Sequence, residues 1–504
     1  MAKRTNQYDR LFQRHLEDRM DYLPHEDPDL QGLTFEPHQK EANRKILYGL
    51  RQQNREALSV VASCGSGKTA VEINLICASQ QAKEDLGING KRKDILVTVG
   101  RVPVKGIRKQ FNDLGFETGV WSGGDRDLEP SIIVAGVHAI QMAHARRELR
   151  KLLPPGTIDL LVVDEADCFL TNARERLMQT LDPRIKVALT ATPDWPDGRS
   201  TTDVFGPHVD RLDLRDGIMR GVNARPELLF YESEIKEEDL RVRKGDYDPA
   251  TLQAAWKHAE VHMAIPEVYE HIIGQQDRKK YPTLIYVPSV KLVQATTETM
   301  QEMFGDHINV VGWNGEDTTT REMHRDVEAF NDGEVQVLVL CEMGGRGMNL
   351  ENAMVLIDAY PTMSLNKLTQ RHGRVLRKIR EGSSLWEKGW RKNKALIAQI
   401  VPKSLKFRPA LFTDILGGYQ QYQQLREGDG GGGSGPPTED PIDILRRRIE
   451  GRNPPNRVSL IRRIDALEAI RMIDELPQAD RDGFFRLPRR YGRPGQPPQA
   501  GGEE

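Results

Sequence analysis

The sequence predicts an α/β protein made of two consecutive parallel sheets with helices on both faces. Three observations predict it. Short apolar runs alternate with amphipathic stretches from Leu33 onward, and a second series of the same kind begins after about residue 226. The run Leu58–Ala62 leads into a turn with two glycines, Gly65 and Gly67, and then a helix start. A further run, Leu160–Val163, ends directly in the carboxylates Asp164 and Glu165. Alternation of strand and helix signals favours parallel sheets, whose strands are buried on both faces and read as continuous apolar segments.

Composition is consistent with this class. The 504 residues leave room for two to four domains of about 150 residues each. Hydrophobic residues at 38% and charged ones at 29% describe a globular chain with apolar content for real cores. Lys and Arg number 72 against 74 Asp and Glu, so any surface for nucleic acid must be a local one. The four cysteines, Cys64, Cys77, Cys168 and Cys341, are far apart and lie in or beside apolar runs. That spacing argues against a disulfide framework or zinc site and fits a reducing compartment. His138, His262 and His372 likewise have no metal-ligand spacing. The N-terminus lacks an apolar signal core, and no apolar run approaches the roughly 18 residues a membrane span needs. A cytoplasmic protein without membrane contact is expected.

In chain order, residues 1–32 form a charged N-terminal extension with helical spacing of Leu11, Phe12, Leu16 and Met20. Residues 33–225 form the first domain, with strands expected at Leu58–Ala62, Ile95–Val99, Ile132–Ala135, Leu160–Val163 and Val187–Leu189. Residues 226–426 form the second, with strands at Leu228–Tyr231, Thr283–Val287, Ile308–Val311, Val335–Leu340, Met354–Ile357 and Ala395–Val401. Glu234–Asp248 is charged and without apolar period, hence a surface connection or insertion, followed by helices near Thr251–His262 and Pro266–Gln275. Residues 427–438 are a flexible Gly-rich linker. Residues 439–504 form a tail. Leu460, Ile461, Ile464, Leu467, Ile470, Ile473 and Leu476 suggest a helix over Ser459–Leu476 with one apolar face, before an Arg-, Pro- and Gly-rich end that reads as disordered.

The turn Gly65-Ser66-Gly67 lets backbone N–H groups converge on an anion, because these residues carry no bulky Cβ substituent. Lys68 adds a point charge for outer phosphates, and Thr69 a hydroxyl for a magnesium ion. The helix that follows directs its positive end at the same phosphates. Ala62 stands where such loops usually begin with glycine. Asp164 and Glu165 lie where ligands of open α/β sheets bind. Asp164 can hold magnesium, and Glu165 can orient and deprotonate the water that attacks a γ-phosphate.

Four ordered motifs now resemble those of a superfamily 2 DEAD/DEAH-type helicase with two RecA-like domains. Ala62-Ser63-Cys64-Gly65-Ser66-Gly67-Lys68-Thr69 resembles motif I, in which Ala at the first position is common. Asp164-Glu165-Ala166-Asp167 resembles motif II, Ala188-Leu189-Thr190-Ala191-Thr192-Pro193 motif III, and Gln370-Arg371-His372-Gly373-Arg374-Val375-Leu376-Arg377 motif VI. The Gln-x-x-Gly-Arg-x-x-Arg form of motif VI, and the stretch Leu212–Pro226, resemble the DNA-repair and type III restriction-subunit branch.

The resemblance implies ATP and Mg2+ as cofactors and assigns roles residue by residue. Ser63 and Cys64 join the phosphate loop, and Gln39 stands at the adenine-reading position. Gln370, Arg374 and Arg377 face the γ-phosphate from the second domain, the arginines from one helix face. Thr190 and Thr192 couple nucleotide state to domain motion. Gly344–Leu350 resembles motif V, with Gly347 at the nucleotide and Gly345 at a nucleic-acid phosphate; Asn349 stands where the family often has Asp. Arg101 and Ser289, in the places of motifs Ia and IV, are expected to contact a nucleic-acid backbone. No group is placed to read base edges.

The function implied is an ATP-dependent helicase or translocase, with DNA ahead of RNA as partner. The alternatives are an RNA helicase of the DEAD-box kind, or an ATP-switched nucleic-acid clamp or assembly module without unwinding, whose C-terminal helix suits docking onto another protein or back onto the lobes.

Overall fold

The computed structural model describes residues 7–23, 33–53, 55–88, 92–195, 198–243, 245–274, 276–313, 320–341, 350–379, 384–403, 409–417, 455, 459–467 and 469–470. The linker 427–438, the motif V glycines Gly345 and Gly347, and most of the tail lie outside the described residues.

In the first lobe, strands β1 (Ala57–Ala62), β2 (Lys93–Thr98), β3 (Thr118–Ser122), β4 (Asp125–Arg126), β5 (Ile132–Gly136), β6 (Ile158–Asp164), β7 (Ile185–Thr190) and β8 (His208–Leu212) form one eight-stranded sheet. The order is β8-β1-β7-β6-β2-β5-β3-β4. Strand β4 returns antiparallel from β3, and the other pairings are parallel. Ile95–Val97, Ile133–Ala135 and Leu160–Val163 are all buried, as their unbroken apolar sequences require. Thr190 lies opposite Val61, and Leu189 opposite Asp164. The ends of β1, β6 and β7 therefore share one sheet edge, where the phosphate loop and the acidic pair meet.

The N-terminal extension belongs to this lobe. Helix α1 (Gln7–Asp18) packs against α2 (Pro37–Arg51) and α3 (Lys68–Asp85), the helix that leaves the phosphate loop. Phe12 and Leu16 are fully buried, and the Tyr8 hydroxyl lies 2.6 Å from Ser79 Oγ. Arg184 donates to Asp9 at 2.8 Å and stacks 4.8 Å over the Tyr8 ring. Helix α3 is buried nearly all round, so it depends on α1 to exclude water from its outer side.

The second lobe holds β9 (Arg225–Lys236), β10 (Thr283–Tyr286), β11 (Val310–Trp313), β12 (Val337–Leu340), β13 (Val355–Asp358), β14 (Lys394–Lys403) and β15 (Ser459–Asp465) in the order β11-β12-β10-β13-β14-β9-β15. All pairings are parallel except that of β15 with β9. The tail thus departs from the expected helix: residues 459–465 add a strand to the sheet, with Glu227 opposite Asp465 and Glu232 opposite Ser459. The physical reason is the edge of β9, whose unpaired N–H and C=O groups the tail satisfies. Arg225 fixes the register by donating to Asp465 at 2.6 Å, and Ala466, Ala469 and Ile470 enter the core beyond.

Two further differences are local. Strands β3 and β8 carry Gly119 and the polar His208, Asp210 and Arg211, and have no continuous apolar run to mark them. The helices after the insertion run Pro249–His258 and Val261–Ile273. The break falls at Glu260, with φ +48°, and not at Pro266, which the second helix accommodates. The insertion itself forms the small hairpin Val242–Arg243 with Asp246–Tyr247. Its Asp246 accepts from Thr362 Oγ1 and from the Met363 N–H at 2.8 Å, and pairs with Lys367 at 3.1 Å. It thereby ties down the start of α4 (Leu365–Val375).

Candidate functional site

The phosphate loop turns on Gly65 and Gly67, at φ +83° and +76°, in the left-handed region where a side chain is strained. Gly67 then caps α3, so the loop's N–H groups and the helix start face one place. Gln39 braces the loop: its Nε2 donates to the carbonyls of Ser66 at 3.0 Å and Gly67 at 3.2 Å. Its Oε1 accepts from the Glu36 N–H at 2.9 Å, closing a capping box on α2. His38 Nε2 lies 2.8 Å from the same Ser66 carbonyl. Ser66 Oγ donates to the Ser63 carbonyl at 2.8 Å, which holds the turn shut.

Burial disfavours the Lys68 ammonium, but the carboxylates of Glu165 and Asp164 more than offset this and raise its pKa. Asp164 is pushed up to about 6 by burial and by Glu165, against Lys68 and a Thr98 hydrogen bond of 3.1 Å. Glu165 holds φ +52°, an uncommon backbone for a non-glycine residue, right after a strand end. Glu72 lies on α3 four residues beyond Lys68, on the same helix face. It is fully buried, with its carboxyl against that of Asp164. Burial and Asp164 raise its pKa. A buried carboxylate suits a hard cation, so Asp164, with the Thr69 hydroxyl next to Lys68 at the start of α3, could hold a magnesium ion together with phosphates.

The second lobe closes on this edge through α4. Gln370 Nε2 donates to Glu165 Oε2 at 3.0 Å and approaches Thr192 Oγ1 at 3.5 Å. Cys64 Sγ lies 3.7 Å from Gln370 Oε1. A Cβ on Gly65 would meet Arg377 Cγ at 2.4 Å, and one on Gly373 would meet Cys64 Cβ at 2.2 Å. The lobes therefore touch through glycines. Burial pushes the Cys64 thiol up, against Lys68, Arg377 and Arg374, whose charges all act on it. Asp358 accepts from His372 at 2.6 Å and pairs with Arg371 at 3.3 Å, fixing α4 from behind. Thr190 Oγ1 donates to Asp167 at 2.9 Å and accepts from the Thr192 N–H at 3.1 Å.

The structure thus brings Lys68, Thr69, Asp164, Glu165, Gln370, Arg374 and Arg377 to one cleft. Ser289 lies elsewhere, as the N-cap of Val290–Phe304, its Oγ accepting from the Leu292 N–H. Arg101 begins the helix Arg101–Asp113, and only its backbone is described. Sequence reasoning gave no role to Thr98, Asp167, Asn223 or Asp246. Asp167 was marked by its place in the acidic motif. The other three are set by packing that no local pattern reveals.

A groove of about 700 Å3 opens beside the first sheet, lined by Gly100, Arg126, Gly136, His138, Met142 and Arg146 among others. It joins the loops after β2 and β5 with the β3–β4 hairpin, on the strand ends that also carry the cleft.

Comparison with known proteins agrees with this architecture. Residues 32–195 match the family described as type III restriction enzyme, res subunit, and residues 264–378 the helicase conserved C-terminal domain. The putative ATP-dependent helicase IRC3 of Saccharomyces cerevisiae is 25% identical over 360 residues, 68% of this chain and 49% of that protein. The chain spans about half the length of the curated relatives it matches. Among solved structures, the DUF1998 helicase MrfA bound to DNA superposes with a TM-score of 0.51 at 14% identity, over 77% of this chain and 53% of that one. The DEAD-box helicase Mss116 bound to ssRNA and UDP-BeF gives 0.52 at 15% identity, over 80% and 77%. At these identities the structural likeness is one of fold. Two RecA-like lobes, the ordered motifs and both family matches place the chain in superfamily 2, in the type III restriction-like branch of that helicase family.

Proposed function

We propose that this chain hydrolyses ATP with Mg2+ to move along, or unwind, DNA, gripping the strand through its phosphate backbone. The observation that carries the reading is the Gln370–Glu165 hydrogen bond of 3.0 Å across the lobes, with Arg377 packed over Gly65. In this reading the N–H groups of Gly65–Thr69 and the Lys68 ammonium bind the phosphates, with Ser63 and Cys64 shaping the loop. Thr69 and Asp164 would hold Mg2+, which neutralises developing charge on the phosphates. Glu165 accepts a proton from the attacking water while Gln370 orients it. Arg374 and Arg377 supply planar, permanent positive charge to the transition state from the opposite lobe. The bond from Thr190 to Asp167, and the contact of Thr192 with Gln370, would pass the nucleotide state to the lobe interface.

The groove beside Gly100, Gly136 and His138 supports a backbone-binding track through its basic groups, Arg126 and Arg146, which share the lining with Glu148. Arg101, Ser289, Gly345 and Gly347 keep their proposed contacts with strand and nucleotide. The four cysteines, all buried and none in a disulfide, support action in a reducing cytoplasm. The expected partner-binding helix loses support, because residues 459–465 pair with the chain's own sheet.

A strand-displacement assay on DNA and RNA duplexes with either overhang tests the proposal. ATP-dependent displacement or stepping on DNA supports it. Displacement of RNA duplexes alone would move the assignment to the RNA branch.

A further inference from the structure

The chain passes from the first sheet to the second through Gly221–Ala224, and Asn223 in this crossing is 1% exposed. All its amide groups are engaged, and the partners come from two functional segments. Ser63 Oγ donates to Asn223 Oδ1 at 2.7 Å. Asn223 Nδ2 donates to the Cys64 carbonyl at 2.8 Å and approaches the Leu376 carbonyl at 3.4 Å. The next residue repeats the link, since the Ala224 N–H donates to the Leu376 carbonyl at 2.8 Å. Ser63 and Cys64 lie in the phosphate loop, and Leu376 lies between Arg374 and Arg377.

The surroundings are shaped for this amide. A Cβ on Gly217 would lie 2.1 Å from Asn223 Oδ1 and 3.0 Å from Ser63 Oγ, so only glycine leaves the group its place. Asn223 thus occupies the point where the phosphate loop, the crossing and the end of α4 converge; the helix stops at Val375, so Arg377 follows it instead of sharing a helix face with Arg374 as expected. A hydrophobic residue in place of Asn223 would leave the Ser63 hydroxyl and the Cys64 and Leu376 carbonyls with one partner fewer in a dry site.

We infer that Asn223 is a positioning residue that locks the phosphate loop to the arginine-bearing segment, so that the lobes close with Arg374 and Arg377 in register with the bound phosphates. The inference rests on the ATP-hydrolysis reading for its kinetic consequence, but its structural consequence does not.

The test compares the wild-type chain with Asn223→Ala, Asn223→Asp and Gly217→Ala. Asn223→Asp keeps the shape and replaces the donating NH2 by an acceptor facing two carbonyls. Gly217→Ala displaces the amide without altering it. Two quantities are read: ATPase parameters, and the inter-lobe distance by fluorescence transfer between dyes on Lys109→Cys and Lys279→Cys, with and without a non-hydrolysable ATP analogue. All three variants are expected to lower kcat about tenfold or more with KM for ATP within about threefold, and to lose the closed-distance population. Wild-type kcat and wild-type distances in the variants that fold overturn the inference, as does a uniform rise in KM with kcat unchanged. A wild-type chain without ATPase overturns the functional reading instead, and the distance measurement then still decides the role of Asn223.

Discussion

Gln370 and Glu165 stand on different lobes, yet the Gln370 amide donates to the Glu165 carboxylate at 3.0 Å. The bond makes the proposed water-activating base sensitive to lobe closure. Removing the base should therefore cost more than removing the amide that orients it. Glu165→Gln is expected to lower kcat by about a hundredfold or more while leaving nucleotide affinity intact. Gln370→Ala should lower kcat by a smaller factor. Steady-state ATPase with parallel fluorescent-nucleotide titration checks both, and equal kcat in Glu165→Gln would remove Glu165 from the chemistry.

The glycine contacts make a steric prediction. Gly373→Ala places a Cβ 2.2 Å from Cys64 Cβ, closer than real contacts allow. The lobes should then fail to close, with hydrolysis lost and nucleotide binding by the first lobe retained. Gly65→Ala adds backbone strain at φ +83° and should weaken both. The pair separates closure from binding in one calorimetric titration series.

The N-terminal helix should act on stability alone. Phe12, on the inner face of α1, is fully buried and far in sequence from the cleft motifs. Phe12→Ala is expected to destabilise the first lobe by about 3–5 kcal/mol. Urea unfolding measures this. ATPase per folded molecule should remain that of wild type, since the cleft lies at the strand ends and α1 covers α3.

The insertion hairpin should act through α4. Asp246→Ala leaves Thr362 Oγ1, the Met363 N–H and Lys367 without their shared acceptor. A loss of about 1–3 kcal/mol is expected. Because α4 carries Gln370 and Arg374, kcat should fall as well, which distinguishes this site from Phe12.

Asp216 gives a pH dependence with a definite sign. Burial, then the neighbouring Asp213, pushes its carboxyl up to about 6 from the ordinary aspartate value of 3.8. Between these values the folded chain holds more protons than the unfolded one, so this group's contribution to stability declines as pH rises through that window and levels off above it. Asp216→Asn should remove the dependence, so its stability advantage over wild type grows from about pH 4 to about pH 6. Chemical denaturation at several pH values shows this as a rising difference; a flat difference contradicts it.

Much of the fold was legible because parallel strands buried on both faces leave unbroken apolar runs. Leu160–Val163 and Val337–Leu340 needed no more than that. Edge strands gave weaker signals. Strand β8 mixes His208, Asp210 and Arg211 into its run, and 459–465 carries apolar residues that fit a helix face as well as a strand. There the free edge of β9 decided the outcome, a tertiary effect absent from local sequence. The cleft was legible where chemistry demands fixed spacing, as in Gly65–Thr69 and Asp164–Glu165. Asn223 and Asp246 were illegible because their partners lie more than a hundred residues away in sequence, at Ser63 and Thr362.

The measurement closest to the central claim is the ATPase rate titrated with single-stranded DNA, duplex DNA and RNA, in wild type and Lys68→Ala. The account predicts stimulation of about tenfold or more by DNA, less by RNA, and no activity in Lys68→Ala. A rate unchanged by every nucleic acid, or one that survives Lys68→Ala, would contradict it.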